Sequence, residues 1–293
     1  MTLIHVFPGQ GAQQVGMGRE LFDRFPHLVD QAESVLGWSV RELCLEGPAE
    51  RLSDTRYTQP SIYVVSALSY LQRVRDTGAV PTLLAGHSLG EYTALFAGGA
   101  FDFLTGVELV AERARTMADA PPGGMSVVMD LSQVDLARAL ESHGAKDVEM
   151  ANINLPDQIV LAGPLAELDR LGPLLKDAGA SVVTRLPVSG AFHSALMEAP
   201  ARSFRAFLDR YQFNRLRITT LSNVTAAPHE EGKLHETLSR HMTEPVQWVR
   251  SMEYLLAQPN PDIIDVGPRE VLARLLNRFA ASTPNGQTVG AQA

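Results

Sequence analysis

Hydrophobic residues along the chain alternate between short continuous runs and segments where they recur every three or four positions. Residues 3–7 form an apolar run that stops at Pro8-Gly9, and residues 82–85 form a second run that stops at a glycine. Runs of this kind are typical of buried strands that end in tight turns. Apolar residues recur at helical spacing over 21–29 and over 62–71, which predicts helices between the two strands. This order of elements is typical of an α/β fold.

A different order of elements is predicted for residues 124–188. The pattern indicates, in chain order, a strand at 124–131, a helix at 132–143, strands at 148–152 and 159–162, a helix at 164–178 and a strand at 181–188. The order βαββαβ is that of a ferredoxin-like subdomain. We therefore expect an α/β domain with a parallel sheet core, formed by residues 1–123 and 189–293, that carries residues 124–188 as an insert.

Beyond the insert, the pattern predicts the remaining elements of the α/β domain. They are a helix near 197–211, strands at Ile218–Ser222 and Ile263–Val266, and a helix from Arg269 to Phe279. The final residues, Ser282–Ala293, are small and polar, so we expect them to be mobile.

Composition excludes several classes of protein. With 293 residues, of which 45% are hydrophobic, the chain can bury a large core, so a disordered protein is excluded. The 25 Lys and Arg against 33 Asp and Glu give a net charge of −8 without a basic run, so nucleic acid is not an expected partner. The single cysteine, Cys44, cannot pair within the chain or build a cysteine metal site, and we interpret it as a small buried hydrophobe.

The N-terminal residues lack the charged and long apolar regions of a signal peptide. No stretch of the chain approaches the roughly 20 apolar residues that a membrane helix needs. We therefore expect a cytoplasmic protein without a membrane partner and without a bound metal.

Residues 86–90, Gly-His-Ser-Leu-Gly, match the pattern G-x-S-x-G between a predicted strand and a predicted helix. In this position the pattern forms a sharp turn that exposes the serine hydroxyl, here of Ser88, and glycines are needed where a side chain would collide. The N-terminus of the following helix offers free N–H groups to a developing oxyanion. Ser88 is therefore the candidate nucleophile, and a chance Gly-Ser turn is the alternative.

A serine nucleophile needs a base, and the sequence contains eight histidines. His5 lies in the first predicted strand, which favours a core position, and His87 adjoins Ser88 in a tight turn where neighbouring side chains point in different directions. Five others lie in a helix or in polar surroundings typical of solvated surface: His27, His143, His229, His235 and His241. His193 remains, in a loop of small residues after a predicted strand. A lone histidine in a loop is more often structural, so the residues alone leave its role open.

Arg113 lies at the border of the apolar stripe of a helix that Thr105 is predicted to begin, with Glu108 as its capping-box partner. A border arginine can extend to the surface, or it can reach into a cleft and bind a carboxylate through two parallel N–H bonds. Helical spacing alone favours the surface position.

Nine segments extend over nearly the whole chain. They are VFPGQGAQ (6–13), TQP (58–60), GHSLGE (86–91), ERARTM (112–117), NINLPDQ (152–158), GAFHSALM (190–197), SNVTA (222–226), PVQW (245–248) and DVGP (265–268). In this order they resemble the malonyl-CoA:acyl-carrier-protein transacylases, a family that includes the acyltransferases of fatty-acid and polyketide synthases. Within the family, the chain looks most like the free-standing acyltransferases that serve polyketide synthase modules in trans. The resemblance implies an α/β-hydrolase-like large domain with an inserted ferredoxin-like subdomain.

Position by position, the resemblance implies roles for five residues. Ser88 resembles the nucleophile and His193 its general base, which in this family is oriented by a backbone carbonyl. The backbone N–H groups of Gln10 and Leu89 resemble the oxyanion hole. Arg113 resembles the arginine that pairs with the free carboxylate of malonate, so the resemblance reverses the preference for a surface position.

Two further residues, Gln59 and Phe192, are implied to line the substrate pocket. A bulky residue at the position of Phe192 is associated with a preference for malonyl over methylmalonyl groups, and core packing is its alternative and compatible role. The segment GGMSVVMDLS at 123–132 departs from the smaller GAMAA-like start of many relatives, so the shape of the pocket is left open.

The implied function is transfer of a malonyl group from malonyl-CoA, through a seryl ester on Ser88, to the phosphopantetheine thiol of an acyl carrier protein, for polyketide or fatty acid synthesis. The enzyme itself is expected to bind no cofactor, since the partner carries the phosphopantetheine. Arg202, Arg205 and Arg210 form a candidate patch for the acidic carrier, with a solvated helix face as the alternative. Two other functions stay open, namely an acyl hydrolase that clears carrier proteins and a non-catalytic module that docks them.

Overall fold

The computed structural model describes residues 1–282. The predicted mobile tail, Ser282–Ala293, therefore lies outside the described residues except for the backbone of its first residue. The strands are β1 (Thr2–Phe7), β2 (Leu83–Gly86), β3 (Gly124–Met129), β4 (Glu149–Leu155), β5 (Gln158–Gly163), β6 (Val182–Arg185), β7 (Thr219–Thr220) and β8 (Pro261–Asp265).

Helices make up most of the remaining described chain. They are α1 (Arg19–Arg24), α2 (Pro26–Leu36), α3 (Val40–Glu46), α4 (Ala49–Leu52), α5 (Thr55–Thr77), α6 (Gly90–Ala97), α7 (Phe103–Ala118), α8 (Gln133–Ser142), α9 (Leu165–Asp177), α10 (Glu198–Leu208), α11 (Leu234–Arg240), α12 (Trp248–Leu256) and α13 (Val271–Ser282).

A parallel sheet with the strand order β7-β2-β1-β8 forms the centre of the larger domain. Ile4 and Val6 of β1 pack on the face covered by α12 and α13, whereas Phe7 packs on the face covered by α5 and α6. Because helices cover both faces, β2 and most of β1 are buried on both sides, which explains why these two central strands are mostly hydrophobic. The predicted parallel sheet is confirmed, and the carboxyl ends of its strands lie at one edge, where ligand sites of such sheets are found.

The insert forms a separate antiparallel sheet with the strand order β4-β5-β3-β6. Its two helices bury Leu136 of α8 and Leu168 and Leu171 of α9 in a core with the strands. Ser132 begins α8 as predicted, since its side chain accepts a hydrogen bond from the N–H of Asp135. The βαββαβ order and this strand arrangement confirm the predicted ferredoxin-like insert.

Three strands are shorter than the pattern predicts. The first strand of the insert, β3, ends at Met129 rather than at residue 131, and the next residue, Asp130, has a positive φ of 67°. The last strand of the insert, β6, ends at Arg185 rather than at Val188, and Pro187 follows, which has no N–H to donate to a sheet. In β7, the pairing stops after Thr220 because the N–H of Ser222 donates to the carbonyl of Ala227, which turns the chain away.

None of the helices within residues 1–282 combines the length and the apolar character that crossing a membrane requires.

Candidate active site

Ser88 lies at the tight turn between β2 and α6 and has a positive φ of 50°. Two glycines make this turn possible. A Cβ on Gly86 would lie 2.0 Å from the carbonyl carbon of Gly90, and a Cβ on Gly90 would lie 1.9 Å from the carbonyl oxygen of Phe7. Both distances are far shorter than any van der Waals contact, so the G-x-S-x-G pattern is a steric requirement of this turn, and the alternative of a chance Gly-Ser turn does not account for it.

Asn223 holds the turn from outside. Its Oδ1 accepts a 2.6 Å hydrogen bond from the N–H of Ser88, and its Nδ2 donates to the carbonyl of Gly86 at 2.5 Å. The side chain therefore bridges both sides of the turn and stabilises the strained backbone of Ser88. Sequence reasoning did not identify Asn223, although it lies within the segment SNVTA.

His193 meets the hydroxyl of Ser88, with Nε2 2.9 Å from Oγ. Its Nδ1 lies 2.7 Å from the backbone carbonyl of His241. A carbonyl only accepts, so Nδ1 carries the proton and the lone pair of Nε2 faces the serine hydroxyl. The loop that was predicted to present this histidine does so, and the backbone carbonyl that the resemblance implied is that of His241.

Burial lowers the pKa of His193 well below its ordinary value of 6.5, and the nearby charges of His241 and Arg113 lower it further. The imidazole is 3% exposed and is therefore neutral at physiological pH. A neutral imidazole with its lone pair on the serine hydroxyl is the form that can accept a proton.

Arg113 is the second polar group on the serine. Its guanidinium donates from Nη2 to Ser88 Oγ at 3.1 Å and from Nη1 to Gln59 Oε1 at 2.6 Å. The residue is only 1% exposed, so the surface position that helical spacing alone favours is wrong. The helix α7 begins earlier than predicted, because its N-cap is Asp102 rather than Thr105. The side chain of Asp102 accepts a hydrogen bond from the N–H of Thr105.

Burial lowers the pKa of Arg113 from its ordinary value of 12.5, while Tyr92 and Glu91 act against this. Both acceptors of the guanidinium, the amide of Gln59 and the hydroxyl of Ser88, are neutral. A buried arginine with neutral acceptors has a charge available for an anionic ligand. The anion would then lie directly beside the serine oxygen.

The two residues assigned to the oxyanion hole lie on either side of this turn. Leu89 follows the serine as the N-cap of α6, and the first N–H groups of a helix have no acceptor within the helix. The loop of Gly9 and Gln10 passes close by, since a Cβ on Gly9 would lie 2.5 Å from the carbonyl oxygen of His87. The side chain of Gln10 is turned to Thr55, with Nε2 3.2 Å from Oγ1.

Gln59 and Phe192 have different surroundings. Gln59 is buried on α5, where its amide accepts from Arg113 and donates to Met117 Sδ at 3.3 Å. Phe192 is 4% exposed and belongs to the main hydrophobic core. Its ring lies against Gly190, where a Cβ would approach the ring to 2.5 Å. The structure therefore brings Gln59 to the serine through Arg113 and gives Phe192 a packing role next to His193.

Of the histidines that were predicted to be solvated, two have buried side chains and a third, His235, is half-buried. The side chains of His229 and His241 are 0% and 1% exposed and lie on the carboxylate of Glu91. Nε2 of His235 lies 2.9 Å from the carbonyl of Tyr211. The prediction was based on polar neighbours in the sequence. The segments that carry these histidines fold against the main domain, so the neighbours in sequence do not determine their exposure.

His5 and His87 follow the predictions. His5 is fully buried, so its core position is confirmed. His87 points away from the serine, as expected for adjacent residues in a tight turn. Its Nε2 lies 2.7 Å from Oδ1 of Asn154 on β4, and its ring packs edge-on against Trp248. The histidine therefore links the nucleophile turn to the insert.

Cys44 is fully buried, and burial raises the pKa of its thiol to about 12. It is thus not a thiolate nucleophile, and its interpretation as a buried hydrophobe is confirmed. Within residues 1–282, no three His, Cys, Asp or Glu side chains are grouped in a way that could hold a metal ion.

The arginines of the candidate docking patch are only partly together. Arg202 and Arg205 line a groove of about 320 Å³ between α10 and the end of α11, where Arg240 joins them. Arg210 does not line this groove, and its guanidinium lies 5.2 Å from the ring centre of Phe207. Three arginines therefore line the groove, with Arg240 in the place that was predicted for Arg210. Each of them also pairs with a carboxylate at the surface: Arg202 with Glu198, Arg205 with Asp209 and Arg240 with Glu244.

An α/β fold with a serine at a strand-to-helix turn and a neutral histidine on its hydroxyl defines a class of enzymes. These enzymes transfer or hydrolyse acyl groups through an ester on the serine. The buried arginine is an addition that suits an acyl group with a negative charge.

The chain belongs to the acyl transferase family, since the pattern that describes the acyl transferase domain matches residues 4–290. It is 42% identical to the polyketide biosynthesis malonyl CoA-acyl carrier protein transacylase BaeC of Bacillus velezensis, over 96% of this chain and 98% of that protein. Over 94% of this chain it is 43% identical to polyketide biosynthesis protein PksE of Bacillus subtilis. PksE is much longer, so the chain spans only 36% of its length.

Solved structures with this fold include transacylases. The malonyl CoA-acyl carrier protein transacylase from Burkholderia pseudomallei superposes with a TM-score of 0.94 at 42% identity, over 97% of this chain and 99% of that chain. A type II polyketide synthase acyl carrier protein in complex with its malonyl-transacylase gives a TM-score of 0.91 at 31% identity, over 96% of this chain and 94% of that chain.

Proposed function

We propose that this acyltransferase moves a malonyl group from malonyl-CoA to the phosphopantetheine thiol of an acyl carrier protein. The observation that carries the proposal is the buried guanidinium of Arg113, 3.1 Å from Ser88 Oγ. An acyl ester on Ser88 would place a carboxylate two carbons away within reach of this charge. An acetyl group would leave the charge buried and unpaired, which disfavours it. The names of the relatives support malonyl transfer and a role in polyketide synthesis.

In the first half of the reaction, His193 Nε2 takes the proton of Ser88 as the serine oxygen attacks the thioester carbonyl. The backbone N–H groups of Gln10 and Leu89 are assigned to the oxyanion that forms. As this intermediate collapses, the carbon–sulfur bond breaks, and the departing coenzyme A thiolate takes the proton from His193. The malonyl group remains as an ester on Ser88, with its carboxylate on Arg113.

In the second half, the thiol of the carrier's phosphopantetheine enters the position of coenzyme A. His193 takes the thiol proton, the sulfur attacks the ester, and the proton returns to the serine oxygen as the ester bond breaks. The enzyme ends as it began, so the cycle is ping-pong and consumes no bound cofactor. The low exposure of both His193 and Arg113 supports a site that keeps water from the waiting ester.

We place carrier docking at the groove of Arg202, Arg205 and Arg240, because an acidic enzyme with a net charge of −8 needs local cations to bind an acidic partner. The surface ion pairs of these arginines are weak, so carboxylates of the carrier can take the place of the present partners. We also propose that residues 1–123 and 189–293 form the catalytic domain and that residues 124–188 form the inserted subdomain. We further propose that the protein acts in the cytoplasm.

The central test is the mass of the intact protein after addition of malonyl-CoA. The wild type should gain one malonyl group, and Ser88→Ala should gain none. A full malonyl shift on the alanine variant would contradict the assignment of the nucleophile. If a serine-directed fluorophosphonate does not label the wild type, the result would instead favour a non-catalytic docking module.

The competing hydrolase function predicts a different fate of the ester. A hydrolase would release acetyl and malonyl groups rapidly to water, whereas a transferase holds the malonyl ester until a carrier arrives. The half-life of the malonyl enzyme with and without carrier protein separates the two functions. The buried charge of Arg113 favours transfer, because an enzyme for neutral acyl chains has no use for it.

A further inference from the structure

Glu91 is a buried carboxylate three residues beyond Ser88, in the first turn of α6, and its side chain is 0% exposed. Its oxygen Oε1 lies 2.7 Å from Nε2 of His229. The other oxygen, Oε2, lies 2.9 Å from Nδ1 of His241 and accepts a 3.3 Å hydrogen bond from the N–H of Asn223. None of these groups touches the reacting atoms, so the mechanism above does not use the carboxylate directly.

The carboxylate is charged despite its burial. Burial alone would raise the pKa of Glu91, but the charge of His241 and the hydrogen bonds from both imidazoles outweigh it and hold the pKa well below the ordinary value of 4.5. A buried charge is retained in a fold only when several groups compensate it. The three contacts of Glu91 therefore compensate one buried charge together, and weakening any of them costs stability.

One contact leads to the base. His241 contacts Glu91 through its side chain and accepts the Nδ1–H of His193 through its backbone carbonyl. The imidazoles of His193 and His241 also lie close, with 4.9 Å between their ring centres. Anchoring the side chain of His241 thus fixes the carbonyl that orients His193.

The other contact leads to the nucleophile. Asn223 donates its backbone N–H to Glu91, and its side chain bridges the N–H of Ser88 and the carbonyl of Gly86. Anchoring the backbone of Asn223 thus fixes the strained turn that presents the serine hydroxyl.

We propose that Glu91 is a positioning residue that sets the distance between Ser88 Oγ and His193 Nε2 by anchoring Asn223 and His241 with one carboxylate. The proposal rests on the proposed function only in taking Ser88 as the nucleophile. His229 contacts the same carboxylate and leads to neither residue, so it serves charge compensation alone.

The test measures how fast a fluorophosphonate labels Ser88, because this reaction needs the serine and its base but no particular acyl group. E91Q and H241Q should each label about 10- to 100-fold more slowly than the wild type, the scale on which a displaced catalytic group lowers a rate. H229Q is the matched control, since it removes a partner of the same buried charge. It should lose thermal stability but label within about threefold of the wild type, which is well below that scale.

The double variant E91Q/H241Q distinguishes positioning from general destabilisation. If Glu91 and His241 act through their mutual contact, the double variant should label as fast as the slower single variant. If they acted independently, the fold-losses of the two single variants would multiply. Should E91Q fail to fold, H241Q against H229Q makes the same comparison. The proposal is overturned if folded E91Q or H241Q labels at the wild-type rate, or if H229Q is slowed as much as they are.

Acylation by malonyl-CoA is measured on the same five proteins. Failure of the wild type to accept malonyl-CoA would refute the proposed function while leaving the labelling comparison intact. Unchanged labelling in E91Q, with normal malonylation of the wild type, would refute only the role of Glu91.

Discussion

Replacement of Arg113 by methionine tests the basis of substrate choice. The guanidinium is 1% exposed and lies 3.1 Å from Ser88 Oγ, and methionine keeps much of the length of the side chain without its charge. The carboxylate of a malonyl group would then be buried without a partner. Breaking a buried ion pair by removing one partner costs about 3–5 kcal/mol, and at about 1.4 kcal/mol per factor of ten this is a loss of at least roughly 100-fold.

The quantity to measure is the second-order rate of acylation of Ser88, followed by rapid quench and intact mass. Arg113→Met should acylate with malonyl-CoA at least about 100-fold more slowly and with acetyl-CoA faster than the wild type, because the uncompensated charge is gone. Arg115→Met is the matched control, since Arg115 is on the same helix but pairs with Glu112 at the surface. It should keep both rates. Malonyl acylation within threefold of the wild type in Arg113→Met would refute this account of specificity.

Three further predictions concern stability and partner binding. Burial lowers the pKa of both His5 and His87 to about 4 from 6.5, so the unfolded state binds more protons between these pH values. The free energy of unfolding should therefore fall between about pH 6.5 and pH 4, by on the order of 3 kcal/mol for each imidazole, as measured by urea unfolding at several pH values. Burial raises the pKa of Asp265 to about 7 from 3.8. Its protonation therefore stabilises the fold at low pH, and this contribution is lost as pH rises through that range, so it offsets only part of the decrease caused by the two histidines. His5→Leu should weaken the net dependence of the unfolding free energy on pH. Gly90→Ala should abolish labelling of the serine, because its Cβ would lie 1.9 Å from a backbone oxygen, and unchanged labelling would contradict the steric argument. Arg205→Glu should raise KM for the carrier protein and leave KM for malonyl-CoA unchanged, and equal effects on both would argue against docking at this groove.

Several features of this protein follow from local sequence. The strand that ends at a glycine, the serine turn and the helix after it form from residues 83–97, and the constraint on the turn is steric, so Ser88 could be singled out as the candidate nucleophile from local sequence alone. The two element orders likewise predicted the parallel sheet and the ferredoxin-like insert. The spacing of hydrophobic residues along the sequence indicates which face of a helix or strand is buried. That information is sufficient to predict the order of helices and strands in both domains.

Only the tertiary structure decided which polar groups meet at the serine. Ser88 and His193 are 105 positions apart, and neither periodicity nor spacing relates their side chains. Arg113 is on the border of its apolar stripe, and whether it reaches water or the serine depends on how α7 packs against α5, not on its own sequence.

The buried cluster of Glu91, His229 and His241 is a second case that only the tertiary structure decided. Local sequence placed both histidines in polar surroundings, and it gave no reason to join them to a glutamate about 140 positions earlier. Folding buries the carboxylate, and a buried charge must then be compensated by whatever groups the tertiary structure brings to it. The chain's local pattern therefore determined the elements and the serine turn. The packing of distant segments, driven by the burial of apolar surface and the pairing of the charges buried with it, determined that His193 and Arg113 meet Ser88 and which contacts hold them there.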